Sequence, residues 1–251
     1  MAPPSRPVPP PTRLRPSRLR TVALIGVDGS GKTTQAHLLA DDLAARSLPA
    51  TYRRNAGGRR WFGRLAVALG RRDGDDLLGR RAMLFVESLL RWLAILRTLL
   101  RRTLTGEIAV MDRYAACQHA SLRARHAGPA AERRARLAYR LFPRPDVTFL
   151  LAVDPAVAYD RIESRGYDHE EMSYLRAATV AYAALPEYAD FVVIDANRTP
   201  AEVTESLRAA LAHYQPVPPR AVLAGVRSLV LAFGSLITGV AAVGYQLADA
   251  F

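Results

Sequence analysis

Thr21-Val22-Ala23-Leu24-Ile25-Gly26-Val27-Asp28-Gly29-Ser30-Gly31-Lys32-Thr33-Thr34-Gln35 is the stretch on which the reading of the whole chain turns. It opens as an uninterrupted apolar run, which predicts a buried strand over 21–27. Glycines at 26, 29 and 31 then let the backbone curl until successive N–H groups point inward at an anion. A helix predicted over 32–46 adds the positive end of its dipole at the same place. Strand, glycine loop and helix in this order make a phosphate cradle. Gly26, Val27, Asp28, Gly29, Ser30, Gly31, Lys32, Thr33 and Thr34 are therefore the expected ATP-binding residues. Lys32 is expected to bridge the β- and γ-phosphates, and the Thr33 hydroxyl to ligate Mg²⁺.

Working outward, short apolar runs at 50–54, 107–112, 146–153 and 191–195 predict four more strands. Helical patterns separate them, the longest over 80–103, and 55–79 reads as a Gly/Arg-rich loop. Alternation of this kind predicts an α/β chain: a three-layer P-loop NTPase fold around a mainly parallel five-stranded sheet. Ligands then belong at the carboxyl ends of the strands. Residues 1–19 are rich in Pro and Arg with no acidic residue, and read as a disordered basic arm. The kinase-like domain is expected over 20–215. After Pro216, Pro218 and Pro219 an uncharged run over 228–248 is expected to form an apolar C-terminal helix. It is long enough to cross a bilayer, with Arg220 and Arg227 holding the domain on the cytosolic side. The other reading is a helix packed on the domain or on a second subunit.

Composition narrows the chemistry. The formal charge is +12, and of 35 Lys and Arg residues only Lys32 is lysine. Where arginine is used nearly everywhere, the one compact ammonium stands at the phosphate loop. The charge suits phosphorylated substrates or an anionic surface, and no DNA-recognition motif accompanies it. Cys117 is the single cysteine, and five scattered histidines give no zinc spacing.

The motif blocks resemble the thymidylate kinase family. The run 26–35 is similar to its P-loop, including Asp28. Asp112-Arg113-Tyr114 is similar to its Asp-Arg-Tyr/His block, Pro145-Asp146 through Asp154-Pro155 to Arg161 and Arg165 to its fourth strand and lid entry, and 194–203 to its adenine loop. The resemblance covers about 20–213 in the family's order. It implies transfer of a phosphoryl group from ATP to a nucleoside monophosphate such as dTMP, with Mg²⁺, in a homodimer formed through the long helices. Arg113 would clamp the acceptor phosphate, its alternative role being a structural ion pair with Asp112. Asp112 would orient Mg²⁺ through water or take the acceptor's proton. Arg54 would touch the acceptor phosphate, Asp28 the sugar hydroxyl, and Phe85 the base. Lys32, Asp112, Arg113 and Arg165 form the expected catalytic set, with Arg165 in a lid over about 161–171. Arg161 either shares that task or faces solvent.

The chain departs from the family where the base is read. Leu122 stands at the position of an amide, and Gln118 reaches that role only if its helix is shifted. Leu89 replaces an arginine, with Arg91 nearby, and Asn55 stands where Glu is common. Asp168-His169-Glu170-Glu171 occupies the place of a second lid arginine. These departures leave two alternatives: a P-loop kinase with another acceptor, or a membrane-attached ATP-binding switch without turnover.

Overall fold

The computed structural model describes residues 18–166 and 170–216. Strand β1 (Arg18–Leu19) leads into β2 (Thr21–Ile25), which is buried at every position, as a central strand of a parallel sheet covered on both faces must be. Helix α1 (Lys32–Ala45) and β3 (Ala50–Arg54) follow. Two short helices, α2 (Arg59–Ala68) and α3 (Gly74–Leu78), occupy the stretch expected as a loop. The long α4 (Arg80–Thr105) then returns the chain to β4 (Ile108–Asp112). Next come α5 (Ala115–Ala124), α6 (Pro129–Tyr139), β5 (Val147–Ala152), α7 (Pro155–Glu163) and α8 (Met172–Ala183). A 3₁₀ turn (Pro186–Asp190), β6 (Val192–Asp195), α9 (Pro200–Leu211) and β7 (Gln215–Pro216) complete the described chain.

The main sheet is five-stranded in the order β3-β4-β2-β5-β6, with every pairing parallel. From β2 the chain crosses past the β4 position to β3, and after β4 it moves to β5 on the other side of β2. That reversal opens a crevice at the carboxyl end of β2, where an open α/β sheet takes its ligands. Phe149, Leu24, Ile25, Met111 and Leu151 on the central strands pack with Leu39, Ile162 and Leu175 from the covering helices. The Asp146 carboxylate accepts the N–H groups of Arg20 and Thr21 at 2.6 and 2.7 Å, fixing the starts of β2 and β5 together.

Arg18–Leu19, at the end of the expected basic arm, pairs in parallel with Gln215–Pro216. The expected apolar helix over 228–248 lies outside the described residues. Among the described residues no helix is long and apolar enough to cross a membrane.

Candidate active site

The glycine loop closes against its neighbours so tightly that side chains are excluded at two positions. Gly26 has φ 143°, and a Cβ there would lie 2.7 Å from the Leu151 carbonyl oxygen. Gly29 has φ 82°, and its Cβ would lie 2.3 Å from the Ala158 carbonyl oxygen. Both values combine a backbone region that favours glycine with a clash against main chain. The buried Tyr182 hydroxyl donates to the Gly26 carbonyl at 3.1 Å, so α8 also holds the loop.

Lys32 opens α1 and is buried, its Nζ donating to the Val27 carbonyl at 2.5 Å and standing 3.7 Å from Asp28. Burial, then the nearby Arg113 guanidinium, lowers its pKa; Asp28 and Asp112 pull the other way. At the next residue, the Thr33 hydroxyl donates to Asp112 Oδ2 at 2.6 Å. The Tyr52 hydroxyl reaches the same oxygen at 3.3 Å. Burial and then the Asp112 charge push the Tyr52 phenol up to about 12, which keeps it a donor. The other carboxylate oxygen of Asp112, Oδ1, is buried with no hydrogen-bond partner among the described residues. A buried, unpartnered carboxylate oxygen next to a threonine hydroxyl is a donor set suited to Mg²⁺, which takes one or two protein oxygens and completes its shell with water and phosphate.

Arg113 follows β4 in the left-handed region, φ 78°. Its guanidinium is paired with the Asp28 carboxylate. Burial opposes its charge, but Asp28 and Asp112 outweigh that and hold the pKa well above the usual arginine value. The expected alternative of a direct Asp112–Arg113 ion pair gives way to an Arg113–Asp28 pair across the crevice.

Beyond Arg113 the structure gathers residues that spacing alone did not connect. Arg91 and Gln118, both fully or nearly buried, meet between α4 and α5, the guanidinium donating to the amide oxygen. Glu87 accepts from Arg91 at 2.8 Å and from Arg59 at 3.2 Å. Among the described residues, Arg91 Nε and Gln118 Nε2 are buried without hydrogen-bond partners. A buried N–H left unbonded on an otherwise paired side chain is costly unless something polar meets it. Gln118 thus carries an amide one helical turn before Leu122, with Arg91 beside it. Leu122 itself packs against Leu84 and Ala135.

Phe85 is not brought to this group. It is 68% exposed, about 160° round α4 from Glu87. Arg54 ends β3 exposed to solvent, on the strand-end side where it was expected. Arg165 is exposed just past α7 and lines a cleft of about 160 Å³ with Gly29, Gly31, Thr34, Arg161 and Arg198. Arg161 lines that same cleft with the loop glycines and is half-buried. It donates to the Ala196 carbonyl at 2.9 Å and so supports the loop after β6. Gln35 ties α1 to that loop, donating to the Pro200 carbonyl at 2.8 Å and accepting from Thr204 at 2.8 Å. Of the lid, Asp168 and His169 lie outside the described residues. Glu170 stands 3.8 Å from Arg125, and burial followed by the Asp28 charge raises its carboxyl to about 7.

A phosphate loop at the carboxyl end of a central parallel strand, with an Asp-Arg pair from the neighbouring strand across the same crevice, defines the chain as a P-loop nucleotide kinase. The family model described as thymidylate kinase matches residues 25–207. A protein called "Probable thymidylate kinase" from Pyrobaculum aerophilum is 32% identical over 186 residues, covering 72% of this chain and 91% of its own. A "Thymidylate kinase" from Leifsonia xyli subsp. xyli is 30% identical over 204 residues, 76% of this chain and 93% of that one. A "Probable thymidylate kinase" from Archaeoglobus fulgidus is 29% identical over 191 residues, with 74% and 92% covered. The chain belongs to the thymidylate kinase family.

Proposed function

We propose that the protein transfers the γ-phosphoryl group of ATP to dTMP, giving dTDP and ADP, with Mg²⁺. The observation that carries the reading is one crevice holding the Lys32 loop, the Thr33–Asp112 oxygens, Arg113, and the Arg91–Gln118 pair, each of whose members keeps one buried nitrogen unbonded among the described residues. The bond from the γ-phosphorus to the bridging oxygen of ADP breaks, and one forms to an oxygen of the dTMP phosphate. Chemistry of this kind is governed by positioning and charge neutralisation. Lys32 exchanges its Val27 carbonyl for phosphate oxygens. Arg113 offers its planar fork to the acceptor phosphate, with Arg54 at the rim, and Asp28 takes the sugar hydroxyl. Gln118 presents an amide to the base edge, steadied by Arg91. Thr33 and Asp112 would hold Mg²⁺, which when bound neutralises phosphate charge. Arg165 closes over the transferring group from the lid. A coupled ADP-release assay across dTMP, dUMP, the other monophosphates and thymidine tests this. Release fastest with dTMP supports it; release only with a non-thymidylate acceptor, or none with any, overturns it.

The exposed apolar stripe Phe85, Leu89, Leu93 and Leu100 along α4 supports a homodimer formed through this helix. The basic arm, the catalytic domain over 20–215 and the run 228–248 are read as separate units. That run is proposed to tether a cytoplasmic kinase domain to a membrane. Recovery of full-length protein in the supernatant after detergent-free lysis and ultracentrifugation would remove the tether from the account.

A further inference from the structure

Arg113 combines two features that pull against each other: it carries the acceptor-side guanidinium, and its backbone is left-handed, where residues with a Cβ are disfavoured. Such a conformation persists only when its surroundings hold it. On one side the Arg113 N–H donates to the Leu24 carbonyl at 3.0 Å, continuing the sheet. On the other, the Arg113 carbonyl accepts from Asn55 Nδ2 at 2.9 Å. Asn55 is 0% exposed, and its own N–H donates to the Asp112 carbonyl at 3.0 Å. Its side-chain oxygen accepts from the Thr98 hydroxyl at 3.1 Å. Thr98 is 1% exposed in the middle of α4.

Only an amide fits this place. It must donate to a carbonyl on one side and accept a hydroxyl on the other, which a carboxylate cannot do when ionised. The side chain that departs from the family's common Glu is therefore built into the backbone of both Asp112 and Arg113. We propose that Asn55 and Thr98 are a positioning pair for phosphoryl transfer: Thr98 fixes the Asn55 amide, and Asn55 holds Arg113 in the left-handed turn that aims its guanidinium across the crevice. Thr98 acts from the interior of α4, through Asn55, on a group that meets the acceptor. The inference rests on the reading of Arg113 as the acceptor clamp.

The test compares the full chain with Thr98→Val, Thr98→Ser and Asn55→Asp. Turnover, calorimetric affinity for dTMP and for ATP, and thermal unfolding are measured for each. Thr98→Val keeps shape and removes the donor. It is expected to lower kcat/KM for dTMP about tenfold, with ATP affinity changed less than about twofold, and Thr98→Ser to restore it. Asn55→Asp is expected to lose about a hundredfold in the same parameter, because the Arg113 carbonyl then faces an acceptor. Variants that melt earlier yet handle dTMP as the wild type does, or that lose ATP and dTMP affinity equally, overturn the positioning role. A wild type that neither binds nor phosphorylates any monophosphate defeats the functional reading instead, and the two failures are told apart by the wild-type lane alone.

Discussion

His119 sits on α5 beside Gln118, 5% exposed, with both ring nitrogens buried and without a hydrogen bond among the described residues. Its ring meets Tyr139 edge-on at 5.8 Å. Burial, followed by the Arg136 charge, lowers its pKa from 6.5 to about 4; Glu187 at 3.9 Å only partly offsets this. The native state therefore holds the imidazole neutral. Below about pH 6.5 the unfolded chain takes up a proton that the folded chain refuses, so stability falls as pH drops from 6.5 towards 4 and is flat above. The full lowering is worth about 3 kcal/mol, of which about 2 kcal/mol is already lost at pH 5. The assay is urea unfolding at pH 8 and pH 5, for the wild type and His119→Phe. Phe keeps the aromatic contact and removes the titrating group, while the acid response of every carboxylate is shared by both proteins. The wild type should lose about 2 kcal/mol more than the variant between the two pH values. Equal losses would refute the buried neutral imidazole.

Lys32→Ala should lower kcat by about two to three orders of magnitude, by analogy with removing one strong donor to developing charge; single-turnover kinetics at saturating ATP checks this. Gln118→Leu should reduce kcat/KM for dTMP about 10- to 100-fold while the KM for ATP holds, and narrow the preference for dTMP over other monophosphates. Leu93→Glu, on the exposed α4 stripe, should shift a dimer to monomer in sedimentation velocity; an unchanged sedimentation coefficient would move the interface elsewhere.

Much of this architecture can be read directly from the chain. Val22–Ile25 is apolar at every position and is followed by glycine, and the observed β2 and loop follow it closely. Asp112 and Arg113 lie where a strand end should put them. Helix α2 was hidden because Arg59, Arg60, Gly63 and Arg64 dilute its apolar residues, and the stretch reads as a charged loop. The Arg91–Gln118 pair is obscured for another reason. Counting along the chain compares positions, whereas the face of α5 turned towards α4 decides which amide meets an arginine, and that face carries Gln118. Phe85 shows the converse: an aromatic at plausible spacing that helix rotation turns outward. Asn55 carries no local sign of its role, since its partners Arg113 and Thr98 are 58 and 43 residues away.

Transfer of a phosphoryl group to dTMP in this crevice shows itself in product stoichiometry. Purified protein, ATP, Mg²⁺ and dTMP are incubated, and dTDP and ADP are quantified by anion-exchange chromatography. Equal amounts of dTDP and ADP are expected, both formed about two to three orders of magnitude more slowly by Lys32→Ala. ADP formed without dTDP, or neither product from a protein that binds both nucleotides, would contradict it.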